Sequence, residues 1–123
     1  MRLTEPDANE PPARALLQSA ATAMRSREVE LLDFYRDEHD GRPHLGIVAP
    51  VLRGDVAIGA MVLRIDPVSE LYPILEIEQD NSRTGETELV RRDGDDVLFL
   101  NPLRFSRDSA LTLRASAADT HRL

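Results

Sequence analysis

The chain contains no cysteine, no tryptophan and no lysine, so all 15 of its basic residues are arginine. Without cysteine it can form no disulfide, offer no thiolate nucleophile and hold no Cys-ligated zinc, and the redox compartment stays open. Aromatic residues make up only 4% of the 123 positions. The longest apolar stretches, such as residues 56–63, fall far short of the ~20 residues of a membrane-spanning helix. Met1 is followed by Arg2-Leu3-Thr4-Glu5-Pro6 with no apolar segment of signal-peptide length behind it, so the chain as given is expected to be soluble. Basic charge is scarce as well: 22 acidic residues against 15 arginines leave a net charge of −7 and a pI near 4.9. That balance argues against nucleic acid as a partner, because its binders need a basic face to displace counterions.

What is present suffices for one core and not two: 41% hydrophobic residues in 13.7 kDa. Residues 1–12 are polar, acidic and proline-rich and read as a flexible lead-in; residues 117–123 read as a frayed tail. Between them, 13–116 reads as a single domain. Pro11 and Pro12 suit the first turn of a helix, and Leu16, Leu17, Ala20, Ala21 and Met24 form a stripe of 3.6-residue period. An amphipathic helix is expected over about Pro12 to Arg27.

The period then changes. Residues 28–36 (EVELLDFYR) and 45–52 (LGIVAPVL) read as strands, with Pro50 marking the second as an edge or a bulge. Residues 56–65 (VAIGAMVLRI) are apolar on both faces and are expected to be central in the sheet. Asp66-Pro67 supplies an N-cap and a first-turn proline for a short helix carrying Leu71, Tyr72, Ile74 and Leu75, which Pro73 bends or shortens. Residues 78–85 read as a polar loop. Residues 86–92, 97–103 and 110–116 are three further strand candidates, the first two joined by Asp93-Gly94, a strong hairpin signal. Short turns make neighbouring strands antiparallel. The expected fold is therefore α+β: one PAS-like or profilin-like antiparallel sheet of five to six strands, covered by a long N-terminal helix, with a short helix before its second half.

Catalytic templates are missing: there is no G-x-S-x-G, no G-x-x-x-x-G-K-[ST] and no H-E-x-x-H. Asp37, His39 and Asp40 have the donor types of a metal site, but such residues are also the usual content of a solvated turn, and no metal or cofactor is assigned. Arg53-Gly54-Asp55 and Asp93-Gly94-Asp95-Asp96 read as turns, the latter lacking the spacer to a glutamate that an EF-hand requires. The polar residues placed within apolar strands are Asp33 and Tyr35, which alternation puts on one face with Val29 and Leu31, and His44, Arg64, Asn101 and Arg104 near strand ends. With Tyr72 from the short helix they form the candidate ligand-binding set, arginine being suited to a carboxylate. The plainer alternative is that they are strand ends reaching solvent or paired with neighbouring charges.

Two passages carry a family resemblance. Residues 59–67 (GAMVLRIDP) followed by Leu71-Tyr72-Pro73, and residues 82–95 (SRTGETELVRRDGD) followed by 97–101 (VLFLN), resemble Cache domains, the extracytoplasmic sensor regions of bacterial membrane receptors. The chain is similar to the membrane-proximal module of a double Cache region. The resemblance implies a non-enzymatic, periplasmic sensor module that binds a small ligand or relays its signal to a histidine kinase or diguanylate cyclase output. It further implies an adjoining sensor module and a transmembrane helix in a parent protein. Independently of it, the alanine-rich stripe of the first helix is a candidate homodimer contact. The amino-acid-binding signature of some Cache domains, an arginine near a Trp-Tyr pair, is absent because there is no tryptophan. The alternative from another class is a cytoplasmic PAS- or GAF-type regulatory domain.

Overall fold

A computed structural model describes residues 12–80 and 83–118, the side chains of 78–80 excepted. Residues 1–11, 81, 82 and 119–123, with most of the expected lead-in and tail, lie outside the described residues.

Helix α1 spans Arg14–Ser26, 13 residues. Its capping residue Ala13 has no side chain able to accept a hydrogen bond, and Glu38 Oε1 from the following strand turn accepts from the Arg14 amide instead, at 2.8 Å. At the other end Arg27 takes the left-handed conformation (φ 59°) and its amide donates to the Ala23 carbonyl at 2.8 Å, a one-residue stop. The apolar stripe seats on a sheet through Leu16, Ala20 and the fully buried Ala23, which meet Leu32 and Val48. Leu17, expected on that stripe, is 52% exposed.

The sheet under α1 comprises β1 (Glu30–Arg36), β2 (Pro43–Arg53) and β3 (Val56–Ile65), antiparallel in the order β1-β2-β3. β2 is central, and β3 is an edge, contrary to the expectation from its two apolar faces. Pro50 nevertheless keeps an edge-like position, because β1 pairs with β2 only as far as Val48. The β2–β3 turn is closed by Gly54 in the left-handed region (φ 59°). In β1 the register slips between Leu32 and Tyr35. This bulge turns Tyr35 to the α1 side with Leu32, while Phe34 goes to the opposite core. The expected shared face of Asp33 and Tyr35 is thereby broken.

After β3, Asp66 caps helix α2 (Pro67–Glu70), accepting from the Val68 amide at 3.0 Å. Helix α3 (Tyr72–Asp80) follows at once. Pro73 is its second residue, where a missing N–H costs nothing, so the proline starts a new helix and does not bend the old one. The chain then forms β4 (Val90–Asp93), β5 (Asp96–Phe99) and β6 (Arg114–Ser116), a second antiparallel sheet in the order β4-β5-β6. Gly94 (φ 65°) closes its first hairpin.

The single PAS-like sheet of five to six strands is thus overturned: the described residues form two separate three-stranded sheets. The expected long N-terminal helix, about Pro12 to Arg27, is also shorter: α1 has 13 residues, from Arg14 to Ser26, stopped by the left-handed Arg27. The strands expected over 86–92, 97–103 and 110–116 shrink to three or four residues each. Between β5 and β6 the chain runs as turns over 100–113, held from inside by Ser109, whose hydroxyl accepts from the Leu103 amide (2.9 Å) and donates to the Asn101 carbonyl (3.1 Å). A second core joins the two sheets, with Phe34 and Leu45 from the first, Leu98 from the second, Tyr72 from α3, and Leu100.

Candidate functional site

The seven candidate ligand-binding residues fall into two places and one outlier. Tyr35, His44 and Arg64 gather at the end of the first sheet. Tyr35 and His44 are cross-strand partners, their rings 6.0 Å apart. The β1–β2 turn brings Asp37 and Asp40 to the same spot, two residues that the candidate set omitted because they read as ordinary turn acids. Arg64 Nη2 lies 2.8 Å from Asp37 Oδ2 and 3.5 Å from Asp40 Oδ2, and His44 Nε2 lies 2.8 Å from Asp40 Oδ2. Asp37 is buried, and its other oxygen accepts from the His39 amide at 2.8 Å.

Burial alone would raise the Asp40 carboxyl, but the Arg42 amide, the His44 hydrogen bond and the charges of His44 and Arg64 outweigh it and hold the group below its ordinary range. The Tyr35 phenol is pushed up, chiefly by burial. Its hydroxyl and His44 Nδ1 are both buried without a hydrogen-bond partner. Ligand atoms of Asp37, Asp40 and His44 lie within 4.8 Å of one another, a donor set that could take a divalent cation. In this structure the Arg64 guanidinium balances both carboxylates, so the cluster reads as an ion-pair network that pins the turn to β3.

Tyr72, Asn101 and Arg104 meet elsewhere, at a cavity of about 220 Å³ between α3 and the turns after β5, which Arg107 also lines. It adjoins a second hollow of about 480 Å³ under the β1–β2 turn, sharing Tyr72, Pro102 and Arg107 and adding Arg36, Arg42 and Asp108. Four arginines therefore line these two adjoining hollows, together an arginine-lined depression, in a chain of net charge −7. Arg36 is held by the carbonyls of Gly41 (2.6 Å) and Ala110 (2.8 Å), and Arg42 by Asp66 at 3.3 Å. Arg107 is exposed and makes no hydrogen bond or ion pair with a described residue.

Tyr72 presents its ring to the depression. Its hydroxyl is spent on the Leu100 carbonyl at 2.6 Å, and its pKa is pushed up to about 12, mainly by burial. Asn101 is structural: Oδ1 accepts from the Leu89 amide at 2.7 Å, and Nδ2 donates to the carbonyls of Thr87 (3.1 Å) and Pro102 (3.2 Å). Those bonds fasten the strandless segment before β4. Asp33 stands apart, bridging the two sheets through Arg91 at 2.9 Å.

Arg36, Arg42 and Arg107 escaped the sequence reading because each sits in or beside a turn, where an arginine carries no periodic signal. Their convergence depends on the packing of the second lobe. Searches of protein-family models, of curated proteins and of solved structures each find no match to this chain.

Proposed function

We propose that this chain is a non-enzymatic sensor module, the extracytoplasmic part of a bacterial signalling receptor, which takes a small carboxylate-bearing ligand in the arginine-lined depression. The observation that carries the ligand class is the exposed Arg107, unengaged by any described residue, beside Arg36, Arg42 and Arg104. A planar guanidinium with free donors takes a carboxylate in a bidentate fork. Pro43, Val68, Tyr72, Pro102 and Ala110 supply apolar wall, and Asp108 disfavours a ligand with a second negative charge at that rim. The depression lies between the β1–β2 turn of the first sheet and the turns of the second lobe. A ligand that touches both walls binds the closed spacing better than the open one and shifts the population toward it. That shift is the signal, passed on to a kinase or diguanylate cyclase in the parent receptor. The extracytoplasmic placement rests on the resemblance of residues 59–67 and 82–101 to Cache sensor sequences.

A thermal-shift screen with mono- and dicarboxylates, amino acids, amines and divalent metals tests the ligand class. A ligand at 100 times its Kd adds ~2.7 kcal/mol to stability, readily seen in Tm. A carboxylate should raise Tm, and Arg107→Ala should remove that rise while leaving the ligand-free Tm unchanged. No carboxylate response, or a response indifferent to Arg107→Ala, overturns the site. Membrane-spanning segments flanking this region in the parent gene would support the extracytoplasmic placement. A wholly soluble parent would instead favour a cytoplasmic regulatory domain.

A further inference from the structure

The apolar stripe of α1 is consumed by its own sheet, yet that sheet has a second apolar face. Directly paired residues of an antiparallel sheet point the same way, and the register places Leu31, Ile47 and Leu63 in one row across all three strands. Ala49 and Met61 form the next row, and Val51 with Gly59 the one after, while Val29 immediately precedes β1. None of these residues is charged. All project away from the face that α1 covers, where Leu32, Val48, Ala60 and Val62 pack. The second lobe shields only the far end of this outer face, at Leu45. The rest is bare: Leu31 is 70% exposed, Met61 66%, Val29 64% and Leu63 59%.

We infer that this face is the contact between two copies of the chain, packed sheet on sheet about a two-fold axis. The exposed fractions correspond to about 600 Å² of apolar surface per copy, at the top of what monomers leave open, and doubling it reaches about 1,200 Å², the lower end of stable interfaces. The strands are already twisted and paired, so a second sheet laid across them at ~10 Å completes a six-stranded sandwich core without rearrangement. A symmetric contact brings each patch against itself, and an uncharged patch lets two chains of charge −7 meet without opposing like charges. The dimer uses the face opposite to the helix stripe that the sequence suggested.

Sedimentation equilibrium from 1 to 200 µM tests this on the wild-type chain and on Leu63→Glu, Met61→Glu and Leu17→Glu. All three positions are exposed in the monomer, so each variant should fold, as circular dichroism checks. The wild type should sediment as a dimer. Leu63→Glu and Met61→Glu should each raise its dissociation constant ~100-fold or more, because two charges would be buried unpaired. Leu17→Glu, on the exposed flank of α1, should leave it unchanged. A wild type that stays monomeric throughout, a dimer that survives both sheet variants, or one lost in Leu17→Glu would overturn the inference. Because no ligand is added, its failure is separate from failure of the arginine site.

Discussion

Arg36, the last residue of β1, donates from Nη2 to the carbonyl oxygen of Ala110 at 2.8 Å and so ties the first sheet to the turns of the second lobe, 74 residues further along the chain. The same nitrogen reaches Thr112 Oγ1 at 3.2 Å, and Nη1 bonds the Gly41 carbonyl at 2.6 Å. One side chain therefore fixes the β1–β2 turn and closes one wall of the arginine-lined depression.

Arg36→Ala should cost about 1–3 kcal/mol, because it removes charged hydrogen bonds to the Gly41 and Ala110 carbonyls and leaves the buried Ala110 oxygen only the longer bond from the Thr112 hydroxyl, at 3.3 Å. Urea denaturation reads this as a lower midpoint at unchanged slope. Arg36→Lys should recover only part of the loss, since one ammonium cannot span Gly41 and Ala110 together. Full recovery by lysine would show that charge alone matters there.

The two tyrosines set the alkaline limit of stability. The folded pKa of Tyr72 is raised from 10.0 to about 12 and that of Tyr35 is raised as well. A group raised in the folded state contributes stability that is whole below its unfolded pKa and is lost as pH climbs through the folded one. Stability should therefore fall between about pH 10 and 12, the sign following from the burial of both phenols. With no tryptophan, absorbance at 295 nm reports tyrosinate cleanly. At pH 10 both tyrosines should be less ionised in the folded chain than in the unfolded one, and Tyr72→Phe should remove the uppermost step. Asp40 acts oppositely: its folded pKa is lowered from 3.8, so its contribution is present above that pH and fades below it. Asp40→Asn should flatten the acid limb of the stability curve, less so in high salt.

Two glycines of the first sheet should respond in opposite directions to alanine. At Gly46, in the centre of β2, an added Cβ would lie 2.5 Å from the Leu63 carbonyl oxygen, a backbone atom that cannot move without shifting β3. Gly46→Ala should destabilise by about 1–3 kcal/mol through overpacking. At Gly59 on the β3 edge nothing of the same chain lies within 4 Å, and at concentrations dilute enough to hold the chain monomeric Gly59→Ala should be neutral or stabilise by up to about 1 kcal/mol through lost unfolded-state entropy. Melting curves of the two variants decide it; equal effects would refute the register of β2 on β3.

Local chemistry was legible where one residue type dictates the geometry. Asp66-Pro67 starts a helix, Asp93-Gly94 closes a hairpin and Arg53-Gly54-Asp55 turns a chain, because capping and left-handed backbone are decided within a few residues. Face assignment was less legible. Strict alternation put Tyr35 beside Asp33, and one extra residue in β1 reversed it, which no period reveals. Apolar character on both faces of β3 suggested burial between neighbours, whereas the structure makes β3 an edge with one bare face. Of the candidate set, Tyr72, Asn101 and Arg104 do meet at one cavity, but Arg107, from a turn with no signal, supplies the unengaged donors.

Residue order alone is enough for an acidic, cysteine-free chain with an amphipathic helix, a capped helix start and a set of short hairpins, since each rests on spacing or on the backbone limits of single residues. The division of the strands into two sheets, the four arginines around the depression and the bare sheet face emerge only once the whole chain is packed. Strand pairing and convergence of turns depend on which distant segments bury surface against one another, and that choice belongs to the whole chain, not to any window of it.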